Sequence, residues 1–504
     1  MKNQVQLITY LERLGGAGFD ALSELLAGPL ANLFGTVHLL PFFHSIDGAD
    51  AGFDPIDHTR VDERLGAWED IRRLTAKVDV MADAIVNHIS ADSPQFEEFS
   101  RLGRGSRYDG LFLTLDSVFP DGACERDLTA LYRPRPGLPL TPVTLANGER
   151  RILWTTFTSK QLDIDVRHAE GRAYLEGILR TFGAYGIRAV RLDAVGYAIK
   201  RAGTSCFMLP ETFEFIGELT ELARTLGMEV LVEVHSHYLR QIEIASRVDW
   251  VYDFALPPLV LHAIFTSTGR HLKEWIAIRP RNALTVLDTH DGIGIIDIGA
   301  DGQRPGLVPP EDLDALVETI HARSHGQSRL ATGAAASNLD LYQVNCTFYE
   351  ALGRNDRQYL LARAVQFFLP GIPQVYYVGL LAGGNDMALL ARTGTGRDIN
   401  RHYYDRKEVL DALSRPVVRD LVCLIRLRNT HPAFQGEFQV GESPERSLAL
   451  RWQAGCEHAV LLADFATGRW TLEYTDGGTV QSLRLECMSG EDAAPAFALQ
   501  WHRG

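Results

Sequence analysis

Carboxylates, histidines and one arginine recur in short clusters along this chain: Asp83-Ala-Ile-Val-Asn87-His88, Arg191-Leu-Asp193, Glu233-Val-His235 and Asp288-Thr-His290-Asp291. Each cluster ends an apolar run. Side chains two apart on a strand share a face, so Arg191 aligns with Asp193, and Glu233 with His235. A guanidinium beside a carboxylate lowers its pKa and keeps it ionised, as a nucleophile requires. A second carboxyl that holds a proton near neutral pH can give it to a leaving oxygen and later take one back. On neighbouring strands, Asp193 and Glu233 suit the separation of about 5–5.5 Å used in retaining glycosyl chemistry. Asp291, two strands further round, can hydrogen-bond sugar hydroxyls. Asp83, His88, Glu233, His235, His290 and Asp291 are also metal-ligand types, but they lack a His-x-x-x-His spacing or a clear facial triad, so no metal is expected. A lone cluster of this kind is ordinarily a satisfied ion pair at a strand end. Four in corresponding places point to a site.

The elements that must position these residues are short apolar, β-branched runs: Val5–Tyr10, Val37–Phe42, Val78–Val86, Ile187–Val195, Met228–His235, Trp250–Ala255, Leu284–His290 and Val375–Gly379. Runs apolar throughout suit strands buried on both faces of a parallel sheet. Helical segments between them, such as Trp68–Ala76, Gly171–Tyr185 and Glu211–Leu226, supply the crossovers. Eight strand–helix units predict an α/β fold, a (β/α)8 TIM barrel, with the polar clusters on its C-terminal rim. The barrel is expected in three parts, 1–86, 168–291 and 355–433. Inserted subdomains at 87–167 and 292–354 emerge at that same rim, where long excursions form site walls or lids. From about Phe434 the pattern changes to period-two alternation, as in Ser447-Leu-Ala-Leu-Arg-Trp-Gln, so 434–504 reads as a C-terminal antiparallel β domain.

The 504 residues carry a net charge of −14, which argues against a nucleic-acid or anionic-membrane surface. The six cysteines contain no Cys-x-x-Cys pair, so zinc and redox motifs fail on spacing and buried thiols are expected. The first ten residues interleave polar side chains where a signal peptide needs an apolar core. The apolar stretch 361–383 is broken by Arg363, Gln366 and two prolines, so no membrane span is expected and a cytoplasmic setting follows.

Asp83-Ala-Ile-Val-Asn-His88, Val190-Arg-Leu-Asp-Ala-Val195, Val232-Glu-Val-His235 and Leu287-Asp-Thr-His-Asp291 resemble, in order and spacing, the four signature regions of the α-amylase superfamily. Within it, Ala49-Asp-Ala-Gly-Phe-Asp-Pro-Ile-Asp-His58, Tyr132-Arg-Pro-Arg-Pro-Gly-Leu-Pro139, Ala334-Ala-Ala-Ser-Asn-Leu-Asp-Leu-Tyr-Gln343 and Gly396-Arg-Asp-Ile-Asn-Arg-His-Tyr-Tyr404 resemble the sucrose phosphorylase family. The resemblance covers all but the last β domain. It implies Asp193 as nucleophile, Glu233 as general acid/base and Asp291 as transition-state stabiliser. It also implies a closed glucose pocket of Asp50, Phe53, His88, Phe157, Arg191, His290 and Arg397.

For the acceptor subsite the resemblance implies Tyr132, Arg135, Tyr197, His235, Leu339, Asp340, Tyr342 and Gln343. Arg135 can neutralise phosphate, whereas Asp340 repels it and favours hydroxyls. The implied reaction is a double displacement. Sucrose gives fructose and a β-glucosyl-enzyme on Asp193, and inorganic phosphate then releases α-glucose 1-phosphate. No metal or organic cofactor is implied, and a homodimer is. Phosphorylases of sucrose 6′-phosphate, glucosylglycerate or glucosylglycerol share the glucose pocket and remain alternatives, as does a non-catalytic amylase-like scaffold.

Overall fold

The computed structural model describes residues 1–45, 50–135, 137–302, 304–332, 343–483 and 501–503. Eight parallel strands close into a barrel: β1 (Gln6–Thr9), β2 (Thr36–Leu39), β3 (Asp79–Ile85), β4 (Ala189–Asp193), β5 (Glu229–Val232), β6 (Trp250–Asp253), β7 (Ala283–Thr285) and β8 (Ile372–Tyr376). Neighbours follow chain order and β8 closes against β1, with Gln6 beside Gln374. Val190 and Leu192 of β4 join the large core shared with the surrounding helices, whereas Ala189 packs in a separate cluster with Met81, Leu231, Tyr252, Phe254, Leu284 and Val286. That split is the two-sided burial expected of strands with no polar face.

A second, polar set threads the same strands. Gln374 Nε2 donates to Gln6 Oε1 (3.1 Å), and the Tyr252 hydroxyl donates to Gln374 Oε1 (3.0 Å). His38 Nε2 lies 3.0 Å from Asp83 Oδ1, which accepts from Arg191 Nη1 at 2.6 Å. All of these residues are buried. The network carries polar order from β1 and β8 across to the β4 arginine beneath the rim.

Several strand boundaries differ from the sequence expectation: β2 stops at Leu39, not Phe42, and β5 at Val232, not His235, so Glu233 and His235 follow the strand rather than share its face. The β7 strand stops at Thr285, so Asp288–Asp291 belongs to the loop that follows it. The β8 strand begins at Ile372, not Val375, and Tyr377–Leu380 turns helical. Pro373 stands in register with Thr285 as the second residue of β8, near the strand start where proline is best tolerated. The crossover helices Trp68–Thr75, Ala169–Ala184 and Pro210–Thr225 lie within two residues of expectation. Cys206 and Cys346 are buried, but Cys124, Cys423 and Cys456 are exposed, contrary to the expectation of burial. These three fall in surface segments where a small side chain is not drawn inward.

The segment between β3 and β4 holds the pairs His88–Ser90 with Gln161–Asp163 and Leu140–Thr144 with Arg150–Trp154. Lys200 is buried against it. Its ammonium reaches Asn87 Oδ1 (2.8 Å), Asp163 Oδ2 (2.5 Å) and the Tyr197 carbonyl, tying this segment to the loop after β4. The segment between β7 and β8 holds helices Pro310–Arg323 and Gln327–Thr332 and the pair Ile293–Gly294 with Gln343–Val344. After the barrel comes a six-stranded antiparallel sheet from Glu437–Gly441 to Trp501–Arg503. Trp452 Nε1 donates to the Phe368 carbonyl (2.7 Å), anchoring that sheet to the helix that precedes β8. Among the described residues, no helix is long and apolar enough to cross a membrane.

Candidate active site

The loops beyond the strand ends surround one pocket, lined by Asp50, Phe53, His88, Phe157, Gln161, Asp193, Ala194, Gly196, Tyr197, Phe207, Glu233, Val234, His235, His290, Asp291 and Arg397. Asp193 is the last residue of β4. Ala194 after it takes a left-handed conformation (φ 56°), turning the chain at once into the short helical turn Val195–Tyr197. Strained backbone of this kind persists where surrounding packing over-determines it, often beside reacting groups. Glu233 lies one residue past β5, and Asp291 lies in the loop after β7.

Arg191 does not line the pocket but lies under it, fully buried. Its Nη1 holds Asp83, and its Nη2 sits 3.1 Å from Asp193 Oδ1 and closer still to Glu233 Oε2. The two pocket carboxyls thus meet over one guanidinium nitrogen. Burial pushes Asp193 well above the usual carboxylate range; Arg191 opposes this and Glu233 adds to it. Glu233 is held below its ordinary value: burial raises it, but Arg191 pulls it down. Arg191 lowers both carboxyls, as expected for Asp193, but it is shared, and its Nη2 lies nearer to Glu233.

Asp291 is strongly acidified. Burial alone would raise it, but Arg397, His290, His235 and Arg401 outweigh that. Arg397 Nη1 lies 2.8 Å from Asp291 Oδ1 and 3.3 Å from Asp50 Oδ2. Arg401 reaches Asp50 Oδ1 at 3.4 Å and donates to the His290 carbonyl at 3.0 Å. Asp50 is likewise held down, as Arg397, Arg401 and Arg135 overcome its burial. One wall is aromatic: Phe53 stacks on His290 (4.7 Å between centroids), and Phe157 packs against His88 and Tyr197. Burial lowers the His290 pKa to about 4, so the ring is neutral. Its Nδ1 and the Gln161 Oε1 are buried without a hydrogen-bond partner among the described residues. Such orphaned atoms on a pocket wall suit a polyhydroxylated ligand. Glu233, His290 and Asp291 present ligand atoms close enough for a cation, yet both carboxylates are already paired with guanidinium groups.

The structure thus gathers Asp50, Phe53, His88, Phe157, His290 and Arg397 in the pocket wall with Asp193, Glu233 and Asp291. Of the residues expected at the acceptor side, Tyr197 and His235 also line it. Gln343 sits at its edge, with Nε2 3.1 Å from His235 Nε2 and Oε1 accepting from Arg397 Nη2 at 3.5 Å. Tyr132 stacks on the pocket residue Phe207 (4.1 Å), and Arg135 lies 3.8 Å from Asp50. Leu339, Asp340 and Tyr342 lie outside the described residues.

Sequence reasoning missed Gln161, Phe207, Arg401 and Asp297. Arg401 carries a readable signal, standing four residues after Arg397. Asp297 carries none, yet it is fully buried and organises the far wall. Its Oδ2 lies 2.8 Å from His235 Nδ1, and its Oδ1 accepts from the Ser236 amide (3.1 Å) and Gln241 Nε2 (2.9 Å). Burial disfavours a charged His235, but Asp297, then Glu233 and Asp291, raise its pKa above the ordinary value.

Residues 33–256 match the family described as alpha amylase, catalytic domain. The chain is 60% identical to a sucrose phosphorylase of Agrobacterium vitis over 94% of its length and 97% of that protein. It is 54% identical to a sucrose phosphorylase of Bifidobacterium adolescentis over 92% of each. Its fold superposes on the crystal structure of a sucrose 6F-phosphate phosphorylase from Thermoanaerobacter thermosaccharolyticum with a TM-score of 0.88 and 37% identity, covering 96% of this chain and 98% of that one.

Proposed function

The chain belongs to the sucrose phosphorylase family within the α-amylase superfamily, and from that premise we propose that it transfers the glucosyl unit of sucrose to inorganic phosphate with retention, giving fructose and α-glucose 1-phosphate. The observation that carries this reading is the carboxyl pair Asp193 and Glu233 meeting over Arg191, in a pocket closed by Arg397 and Asp291. Asp193 is the nucleophile. With the glucosyl unit bound between the carboxyls, Glu233 carries the proton and Asp193 attacks as the anion. Glu233 protonates the glycosidic oxygen, the bond to fructose breaks, and an ester forms between Asp193 and the anomeric carbon. Asp291, fixed as an anion by the arginines, stabilises the cationic ring on the way. A phosphate oxygen then attacks the same carbon, Glu233 takes its proton, and the Asp193 ester breaks. Two inversions give net retention.

Asp50, Phe53, His88, Phe157, His290 and Arg397 make the glucose subsite above the buried Arg191, with the orphaned His290 Nδ1 and Gln161 Oε1 supporting hydroxyl recognition. Tyr132, Arg135, Tyr197, His235, Leu339, Asp340, Tyr342 and Gln343 serve the acceptor. Arg135 and a His235 made more basic by Asp297 bring positive charge to phosphate. Segments 87–167 and 292–354 wall the two subsites of the barrel, and 434–504 is a separate sheet domain. No metal or organic cofactor takes part in this scheme. A cytoplasmic homodimer belongs to the same reading, and sedimentation of the purified chain tests the dimer.

The decisive assay follows α-glucose 1-phosphate from sucrose with and without millimolar inorganic phosphate. Phosphate-dependent formation that disappears in Asp193→Asn is expected. Phosphate-independent release of glucose and fructose, or unchanged turnover in Asp193→Asn, refutes the assignment. Silence toward sucrose with turnover of sucrose 6′-phosphate moves the substrate to the neighbouring family member.

A further inference from the structure

Away from the active site, three side chains from three helices meet with metal-ligand chemistry. His262 lies on the helix Leu256–Thr266 after β6, His271 on Arg270–Ile278, and Asp312 in the first turn of Pro310–Arg323, in the segment after β7. One ligand atom from each lies within 4.8 Å of the others. The closest measured edge, His262 Nε2 to Asp312 Oδ2, is 3.7 Å, too long for a hydrogen bond. Tetrahedral zinc, with bonds of about 2.0–2.1 Å, separates its ligand atoms by about 3.4 Å.

Two features separate this cluster from a chance polar contact. His262 is only 2% exposed, and its Nε2 has no hydrogen-bond partner among the described residues. His271 is held as a ligating tautomer. Its Nδ1 lies 3.0 Å from Glu274 Oε2, an acceptor, so the proton sits on Nδ1. Its Nε2, carrying the lone pair, lies 3.2 Å from Arg270 Nη2, which can only donate. A carboxylate behind a histidine is the arrangement that orients zinc ligands elsewhere. The Asp312 side chain is 42% exposed, which leaves a path for an ion and its water.

We propose that His262 Nε2, His271 Nε2 and an Asp312 carboxylate oxygen form a zinc site, completed by water, that clamps the helix 310–323 to the two helices following β6. Arg270, half-exposed, moves its guanidinium off His271 to admit the ion. The site is structural and takes no part in glucosyl transfer.

The test is calorimetric titration of the full chain with zinc ion alone, paired with its melting temperature. One equivalent bound with a raised melting temperature is expected, and both should be lost in His271→Gln. Asp312→Asn, at the exposed end and safe for folding, should weaken zinc at least tenfold. Glu274→Gln should weaken it about 10- to 100-fold through the orienting carboxylate. No uptake by the unmodified chain overturns the proposal. So does uptake of equal affinity in His271→Gln and Asp312→Asn, which places the ion elsewhere, such as among Glu233, His290 and Asp291.

Discussion

Asp297→Asn isolates the phosphate half-reaction. The substitution keeps the side-chain shape but removes the buried charge 2.8 Å from His235 Nδ1. Burial lowers the His235 pKa, and Asp297 is the largest influence raising it, ahead of Glu233 and Asp291, so the variant's pKa falls. A histidine is charged below its pKa, so at neutral pH the variant loses positive charge at the acceptor wall. A charge-assisted hydrogen bond is worth about 1.5–3 kcal/mol, and 1.4 kcal/mol is tenfold, so the phosphate KM should rise about 10- to 100-fold. Sucrose cleavage into water, which needs no phosphate, should change far less, giving a KM-against-kcat split between the two acceptors. The assay measures phosphate KM from pH 5.5 to 8.5. It should climb as pH rises through the His235 pKa, and the climb should begin at lower pH in the variant. Phosphate's own titration cancels in the ratio. Parallel curves with equal phosphate KM would refute the role given to His235 and to the carboxylate behind it.

Lys200→Met strips the ammonium from a fully buried Asp163 and should cost roughly 3–5 kcal/mol, the range for breaking a buried ion pair from one side. Guanidinium unfolding reads the loss, and adding Asp163→Asn should recover part of it; a double variant no more stable than Lys200→Met argues against the pair. Gly379→Ala places a methyl 1.8 Å from Asp288 Oδ2 and 2.2 Å from Arg363 Nη2, so it should split that buried ion pair below the Asp291 loop. Overpacking of about 1–3 kcal/mol is expected with reduced kcat, measured by unfolding midpoint and sucrose turnover, and an unaffected midpoint would contradict the packing.

The barrel strands were readable because two-sided burial leaves runs with no polar face, and their tips were readable because chemistry interrupts the runs. Strand eight was read three residues late, from Val375, because Pro373 and Gln374 interrupt the apolar, β-branched run by which the strands were recognised. Asp297 stayed hidden for a different reason. It stands alone between isoleucines, 62 positions from the histidine it supports, and only folding joins them. Lys200 is of the same kind, a lone cation whose side-chain partners Asn87 and Asp163 come from distant segments.

The sharing of Arg191 shows what spacing leaves out. Two positions apart on one strand, Arg191 and Asp193 look like a dedicated pair, and a dedicated guanidinium ionises its partner. In the fold Arg191 is shared three ways, held from behind by Asp83, which in turn leans on His38. A guanidinium anchored on Asp83 has its second arm fixed, and that arm lies nearer to Glu233 than to Asp193. Asp83 and His38, in the barrel interior, therefore hold this guanidinium from below although neither lines the pocket. They fix where Arg191 points, against both pocket carboxyls at once.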